Sequence, residues 1–328
     1  MADLPQQIMR ESMPPLDSAA LAALLKSSVH GQDTLIDGVT QLLRLRMENR
    51  RASRPLCTLL FLGPPGTGKT TLTRALAKAI YHDAKACLHY DVIEFANSLG
   101  RSELIGYPQG FTRREQGGRL INPLRANPQR LILFHEAHTA DRNILEFFAQ
   151  MMSEGQVIGQ ASGKTASLSE AIIVFESANQ WDQLSQIRAA ISDPYDCRSV
   201  IEAHLTDNVF PLEFLRQIDG IFLFQPLNET ACARVAVLEI QLLAKRNALT
   251  VARIDTDYLI FLTSKAGVFE DGGARQLARL VEYQLGDQMN DAQAAGAKFA
   301  RISLLEGKPF VQTVESPKTW TAAGRSNA

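Results

Sequence analysis

Residues 63–70, GPPGTGKT, have the types and spacing of a phosphate-binding loop. They match the pattern GxxxxGK[ST], the Walker A motif. In such a loop the backbone N–H groups point at phosphate oxygens, the lysine (Lys69) reaches the β- and γ-phosphates, and the next hydroxyl (Thr70) ligates magnesium. The sequence therefore predicts a site for ATP and Mg2+, formed by Gly63, Pro64, Pro65, Gly66, Thr67, Gly68, Lys69, Thr70 and Thr71.

The elements on either side of this loop are those that its chemistry requires. A continuous apolar run, CTLLFL at 57–62, precedes it, and a helical pattern follows through Ile80. A buried strand, a glycine-rich loop and a helix place the positive end of the helix dipole at the phosphates. The pattern predicts that the helix begins near Lys69.

A second group of candidate catalytic and metal-binding residues follows the apolar run LILF at 131–134. Phosphoryl transfer needs a magnesium-holding acid and a water-activating base, and Glu136 is predicted as the base. His135 stands where the acid is expected, although imidazole is a poor ligand for Mg2+. Glu176, near the end of another apolar run, is a candidate to help hold the metal. Zinc is a weaker alternative, because His135 and His138 are three residues apart rather than four on a helix.

The apolar runs predict an α/β fold. Further runs at 172–175 and 221–224 are separated by helical or loop segments, as in a parallel sheet with crossovers. After Pro226 the pattern becomes mainly helical, with a possible strand near 299–305. We therefore predict a flexible N-terminus, a large α/β domain, a smaller, mostly helical C-terminal domain and a tail, at residues 1–16, 17–225, 226–315 and 316–328.

Composition excludes several classes of protein and partner. With 45% hydrophobic and 21% charged residues, the 328-residue chain is neither disordered nor fibrous. A net charge of -1 provides no global field for nucleic acid or acidic membrane. The four cysteines are scattered, without a CxxC pair, and no signal peptide or membrane-spanning run is visible. A cytoplasmic location is expected, with no membrane partner.

Several motifs in order resemble the AAA+ module of Clp-type protein unfoldases, especially the second ATPase domain of the ClpB disaggregase class. Besides the phosphate loop, they are VHGQD at 29–33, ELIGYPQGFTRREQGG at 103–118, VFESAN at 174–179, FPLEFLRQIDGIFLF at 210–224 and GARQLAR at 273–279. The likeness runs from about Val29 to Leu305. It implies a P-loop NTPase fold with a parallel sheet and a smaller helical domain.

The resemblance also implies roles for single residues. Val29 and His30 would contact the adenine base, and Phe111 would grip a threaded polypeptide in the pore of a ring. Asn179 would position the attacking water, and Arg275 would contact the γ-phosphate.

Two departures from the family pattern concern hydrolysis. The family has aspartate at His135, and its arginine finger falls on Gln217, with Arg216 one position earlier. One residue on a helix rotates a side chain by about 100°, and a missing finger typically costs a factor of about 10³ to 10⁵ in turnover. Weak hydrolysis is therefore expected, and His135→Asp is expected to raise it by supplying an oxygen ligand.

These observations leave more than one function open. The first hypothesis is a ring-forming ATPase, a chaperone or unfoldase and a hexamer of identical chains, acting on a protein substrate or complex. The alternative is a nucleotide-gated assembly or scaffold protein with slow or absent hydrolysis. A DNA-acting regulator is a third reading, but the chain lacks a basic recognition element, and nucleic acid is not expected as a partner.

No partnership with a Clp-type peptidase is expected. Family members that feed a protease carry a loop with an aliphatic residue, glycine and a bulky apolar residue, between the first sensor and the finger segment. Residues 180–209 contain no glycine, so that hook cannot form there.

Overall fold

The computed structural model describes residues 16–95, 100–107, 118–160, 163–266 and 273–315. Its strands, in chain order, are β1 Cys57–Leu62, β2 Cys87–Asp91, β3 Leu131–His135, β4 Gln156–Ile158, β5 Thr165–Ser167, β6 Ile172–Ser177, β7 Gly220–Leu223, β8 Thr250–Ile254, β9 Phe299–Leu305 and β10 Lys308–Val314. Its helices are α1 Ser18–Ser28, α2 Asp33–Glu48, α3 Lys69–Tyr81, α4 Gly100–Ile105, α5 Ile121–Ala126, α6 Arg142–Glu154, α7 Trp181–Ala190, α8 Pro194–Asn208, α9 Leu212–Leu215, α10 Glu229–Arg246, α11 Thr256–Ala266 and α12 Gly273–Ala294.

A five-stranded sheet, in the order β2-β3-β6-β1-β7, organises the N-terminal part. All its neighbouring strands are parallel. Every residue of β1 and β6 is buried, because helices cover both faces of the sheet. The predicted strands at 57–62, 131–134, 172–175 and 221–224 are confirmed within one or two residues.

The register of the sheet brings the phosphate loop, His135 and Glu176 to one edge. Leu62 is paired with Ser177, so the loop that starts at Gly63 follows directly beside the end of β6. Phe134 is paired with Phe175, which sets His135 next to Glu176. Parallel strands end at the same edge, and ligands of open α/β sheets bind there.

Apolar side chains fill both faces of this sheet. On one face aromatic rings pack together, with the Phe134 ring stacked on that of Phe175 at a centroid distance of 5.2 Å and tilted against that of Phe148 at 4.3 Å. The other face packs against α2 and α3. The strand ends that carry the site are thus anchored in close-packed core, which limits their movement.

The C-terminal part has its own apolar cluster, formed by α10, α11, α12 and a second sheet, β10-β9-β8. The prediction of a strand at 299–305 is confirmed as β9, and the mainly helical character is confirmed by three helices. Strands β8 and β10 were not expected from the sequence, and their side chains are largely exposed or partly buried. The two strands therefore lack the continuous apolar run that reveals a buried strand.

Two further features bear on the expectations from composition. Within the described ranges, no helix is both long enough and apolar enough to cross a membrane. The four cysteines, Cys57, Cys87, Cys197 and Cys232, are free thiols.

Candidate active site

The phosphate loop joins β1 to α3 through left-handed glycines. Gly63, Gly66 and Gly68 have φ of +148°, +74° and +99°. A Cβ on Gly63 would lie 2.7 Å from the Phe224 carbonyl oxygen, so only glycine fits. None of the described side chains caps the first turn of α3. Its N–H groups and the positive end of the helix dipole therefore suit an anion.

Lys69 is held inside this loop. Its side chain is buried, and Nζ donates hydrogen bonds to the carbonyl oxygens of Gly63, at 2.6 Å, and Pro64, at 2.8 Å. Burial lowers its pKa, while Glu176 and Glu136 oppose that shift. The ammonium is thus positioned by the backbone and lies near two carboxylates.

A cleft of about 280 Å³ opens over the loop. Its walls come from the loop, the end of β3, α10 and α12, and are formed by Pro65, Gly66, Gly68, Lys69, Thr70, Thr71, His135, Glu136, Glu239, Ala274, Arg275 and Ala278. The contact with α12 is direct, since the Ala274 N–H donates to the Gly66 carbonyl oxygen at 2.9 Å. The structure therefore brings Arg275 to the same cleft as Lys69 and Glu136, although 139 residues or more separate it from them in the sequence.

Glu136 is the residue directly after β3, and its backbone has an uncommon conformation. Its φ is +53°, in the left-handed region that non-glycine residues rarely adopt. Its Oε1 lies 3.6 Å from His135 Nε2, and its Oε2 lies 3.2 Å from His138 Nδ1. The carboxylate is partly exposed to the cleft, as a group that takes a proton from water must be.

Glu176 occupies the position between β3 and the loop, with a side chain that is fully buried. Thr70 Oγ1 donates to Oε2 at 2.7 Å, and Thr73 Oγ1 donates to Oε1 at 2.9 Å. His135 Nδ1 lies 3.1 Å from the same Oε2. The hydrogen bond with Glu176 raises the pKa of His135, against the opposing effect of burial.

The donor set fits magnesium better than zinc. Thr70 and Glu176 offer oxygen atoms, the ligands that Mg2+ prefers, and Mg2+ usually takes only one or two carboxylates from a protein. Among the described residues no three His, Cys, Asp or Glu side chains form a group that could hold a metal ion. Bound there, Mg2+ would neutralise phosphate charge.

This geometry reverses the expected effect of His135→Asp. The imidazole pairs with the buried Glu176 carboxylate, and an aspartate would face that carboxylate with a like charge. The substitution alone is therefore expected to lower activity.

The adenine residues implied by the resemblance lie between α1 and α2, directly after the end of α1. Val29 is buried, and its Cγ1 is 3.0 Å from where a Cβ on Gly68 would be, so it packs against the phosphate loop. His30 follows it and is partly buried. The contact of either residue with adenine stays a prediction.

Sequence reasoning missed Gln32, which is also buried. Its Nε2 donates to the carbonyl oxygens of Thr67 and Gln225, at 3.3 and 2.8 Å, and its Oε1 accepts from the Gln225 N–H at 3.2 Å. It joins the loop to the segment between β7 and α10. Only its place in VHGQD hinted at a role. Glu239 of α10 was also missed.

Other predicted residues lie elsewhere. Asn179 follows the end of β6, and its N–H donates to Ser177 Oγ at 3.1 Å, but it is not among the residues that form the cleft walls. Arg216 is exposed just after α9. Phe111 lies outside the described residues.

Gly273, the first residue of α12, contacts the phosphate loop closely, and its replacement is predicted to weaken ATP binding. Its φ is +45°, and a Cβ there would lie 2.6 Å from the Gly66 carbonyl oxygen. Gly273→Ala should push α12 and Arg275 away from the loop and weaken ATP binding roughly tenfold, which corresponds to about 1.4 kcal/mol. Titration of a fluorescent ATP analogue measures this.

Gly286→Ala is the matched control on the same helix, because the nearest atom to its Cβ would be 4.0 Å away. Equal affinities in the two variants would contradict a tight contact between α12 and the loop.

Comparison with known proteins agrees with this geometry. A family model described as "AAA domain (Cdc48 subfamily)" matches residues 54–221, just over half of the chain. The chain is similar to the chaperone protein ClpB of Rickettsia felis, with 33% identity over 83% of this chain and 32% of the relative. It is 29% identical to ClpB of Rhodopirellula baltica, over 82% of this chain and 30% of the relative.

A third similar protein is the ATP-dependent Clp protease ATP-binding subunit ClpE of Streptococcus pneumoniae, with 29% identity over 83% of this chain and 36% of the relative. The chain thus spans about a third of the length of these relatives. The family match includes Lys69, Glu136 and Glu176 and the strands β1, β3 and β6 that position them. The chain therefore belongs to the AAA ATPase family and, within it, to the Clp-type AAA+ proteins.

Proposed function

We propose that this chain binds ATP and Mg2+ in the cleft and uses ATP hydrolysis to remodel a protein substrate or complex. It would act in the cytoplasm as a ring of identical subunits, a hexamer. One observation carries the proposal: Lys69, Glu136 and Arg275, from three different elements, meet at one cleft beside a glycine-rich loop. The relatives named as chaperones support protein remodelling as the output.

Different residues would bind the phosphates and activate the attacking water. The loop N–H groups and Lys69 bind the β- and γ-phosphates, and Arg275 contacts the γ-phosphate from α12. Glu136 takes a proton from the water that attacks γ-phosphorus, while the bond to the bridging oxygen breaks and ADP leaves. Because α12 contacts the loop through Ala274, a change at the γ-phosphate can reach the C-terminal part.

The steady-state ATPase rate, with and without a casein-like unfolded protein, tests this proposal. A remodelling enzyme couples turnover to its substrate, so the unfolded protein should raise the rate. A rate that the unfolded protein leaves unchanged would contradict the proposal.

The second candidate function is a nucleotide-gated assembly protein with slow hydrolysis. It is favoured by Gln217, at the position that the resemblance assigns to the arginine finger. Its Oε1 accepts a hydrogen bond from Arg54 at 3.1 Å, and its carbonyl oxygen accepts one from Thr58. A neutral side chain that is bonded to its own subunit cannot stabilise charge in a neighbour. Particles that assemble with ATP while turnover stays near zero would favour this candidate.

We also predict that no Clp-type peptidase partners this chain. The segment where the family's peptidase hook would lie is filled by α7 and α8, and 180–209 contain no glycine. A tagged substrate incubated with the chain, a peptidase ring and ATP should stay intact. ATP-dependent degradation by that pair, or copurification with the peptidase, would contradict the prediction.

A further inference from the structure

The burial of Glu176 is the feature that the proposed function leaves unexplained. It lies in β6 directly after four buried apolar residues, and its side chain has no exposed surface. Burying an ionised carboxylate is costly unless hydrogen bonds or opposite charge compensate. A carboxylate kept at this place needs a reason beyond packing.

The contacts of Glu176 point to the magnesium ion. Its Oε2 is 2.7 Å from Thr70 Oγ1, the hydroxyl that a phosphate loop presents to Mg2+. Two neighbouring oxygens on an octahedral Mg2+, each about 2.0–2.1 Å from the metal, lie about 3 Å apart. The separation of the two oxygen atoms is thus close to that of two ligands of one ion.

His135 completes the arrangement from β3. Its Nδ1 lies 3.1 Å from Glu176 Oε2. His135 also occupies the position at which the resemblance expects the metal-holding aspartate. An imidazole that donates to a carboxylate fixes the direction of that carboxylate, as the hydrogen-bonded partners of metal ligands do.

We propose that Glu176 is the carboxylate that holds Mg2+ with Thr70, and that His135 is a positioning residue. In this chain the metal-holding carboxylate would lie on β6, the strand beside β3, and a hydrogen-bonding imidazole stands where the resemblance expects the aspartate. This inference rests on the proposed nucleotide site. It explains both why a histidine, His135, stands where the resemblance expects aspartate and why the Glu176 carboxylate is buried.

The test compares the affinity of a fluorescent ATP analogue with Mg2+ and with EDTA, and the electron paramagnetic resonance of Mn2+ in the presence of ADP. In Glu176→Gln, binding in EDTA should be unchanged. The gain in affinity from Mg2+ should vanish, and Mn2+ affinity should fall by at least the 10- to 100-fold that loss of a ligand's hydrogen-bonded partner costs. Glu176→Asp, which keeps a carboxylate, should recover part of the Mn2+ signal.

Glu136→Gln is the matched control, because it neutralises a carboxylate in the same cleft that is not bonded to Thr70. It should keep the Mg2+ dependence of the wild-type chain. Glu176→Gln with full Mg2+ dependence and Mn2+ affinity would overturn the inference and leave the proposed function standing. A wild-type chain that binds no nucleotide with or without Mg2+ would overturn both.

An exchange of residues tests the positioning role of His135. Glu176→Thr should lose Mn2+, and adding His135→Asp to it should restore binding, because the double variant has a metal-holding carboxylate on β3. His135→Asp alone should bind nucleotide more weakly, since two carboxylates then face each other. A double variant no better than Glu176→Thr would contradict the exchange.

Discussion

Replacing Lys69 by alanine is expected to abolish ATP binding. The ammonium is buried in the loop, where it donates to the Gly63 and Pro64 carbonyls, so it is held inside the loop that is expected to bind the phosphates. Charge-assisted hydrogen bonds to phosphate are about twice as strong as neutral ones, and the substitution removes the charge and the donors together. Calorimetry should detect no binding at ATP concentrations that saturate the wild-type chain.

Lys78→Ala is the matched control for this experiment. Lys78 lies on the same helix, α3, but is exposed, and its loss should leave the affinity for ATP unchanged. Undiminished affinity in Lys69→Ala would contradict the assignment of residues 63–70 as the phosphate loop.

Glu136→Gln is expected to stop hydrolysis while ATP still binds. The amide keeps the shape of the side chain but cannot accept a proton from water, and general-base catalysis typically contributes about 10² to 10⁴ in rate. Lys69 and the loop, which are expected to bind the phosphates, are left unchanged by this substitution. Steady-state phosphate release, measured beside the affinity for an ATP analogue, separates the two effects.

Glu154→Gln serves as its control, since Glu154 is exposed at the end of α6 and accepts a hydrogen bond only from Gln150 among the contacts that the structure gives it. Its turnover should match that of the wild-type chain. A Glu136→Gln variant that hydrolyses ATP at the wild-type rate would assign the base to another residue.

The parts of the site that depend on local sequence could be predicted. GPPGTGKT specifies its backbone through glycines that accept positive φ, and a buried parallel strand must be apolar throughout, so β1, β3 and β6 were visible. Glu136 could be proposed as the base because it directly follows such a strand. At these positions the residue types needed for the chemistry are also those that the local backbone and burial require.

The contacts across the sheet could not be predicted. Whether His135 faces Glu176 depends on the pairing of Phe134 with Phe175, which two isolated runs do not specify. The same holds for Gln32, whose partners Thr67 and Gln225 come from distant segments. The sequence therefore suggested a degraded metal site at His135, whereas the structure has a carboxylate beside it.

Strand β2 shows a different limit. Its sequence, CLHYD, mixes polar and apolar residues because it lies at the edge of the sheet, where burial is incomplete. The pattern of a buried strand is absent there. The strand is recognisable only from its pairing with β3, which sets Asp91 beside His135.

A structure of Glu136→Gln with ATP and Mg2+ bound tests the central claim most directly. It should have the β- and γ-phosphates against Lys69 and the loop, the γ-phosphate in reach of Arg275, and the metal between Thr70 and Glu176. Nucleotide bound away from residues 63–70, or Mg2+ held without either of those two oxygen donors, would contradict the account.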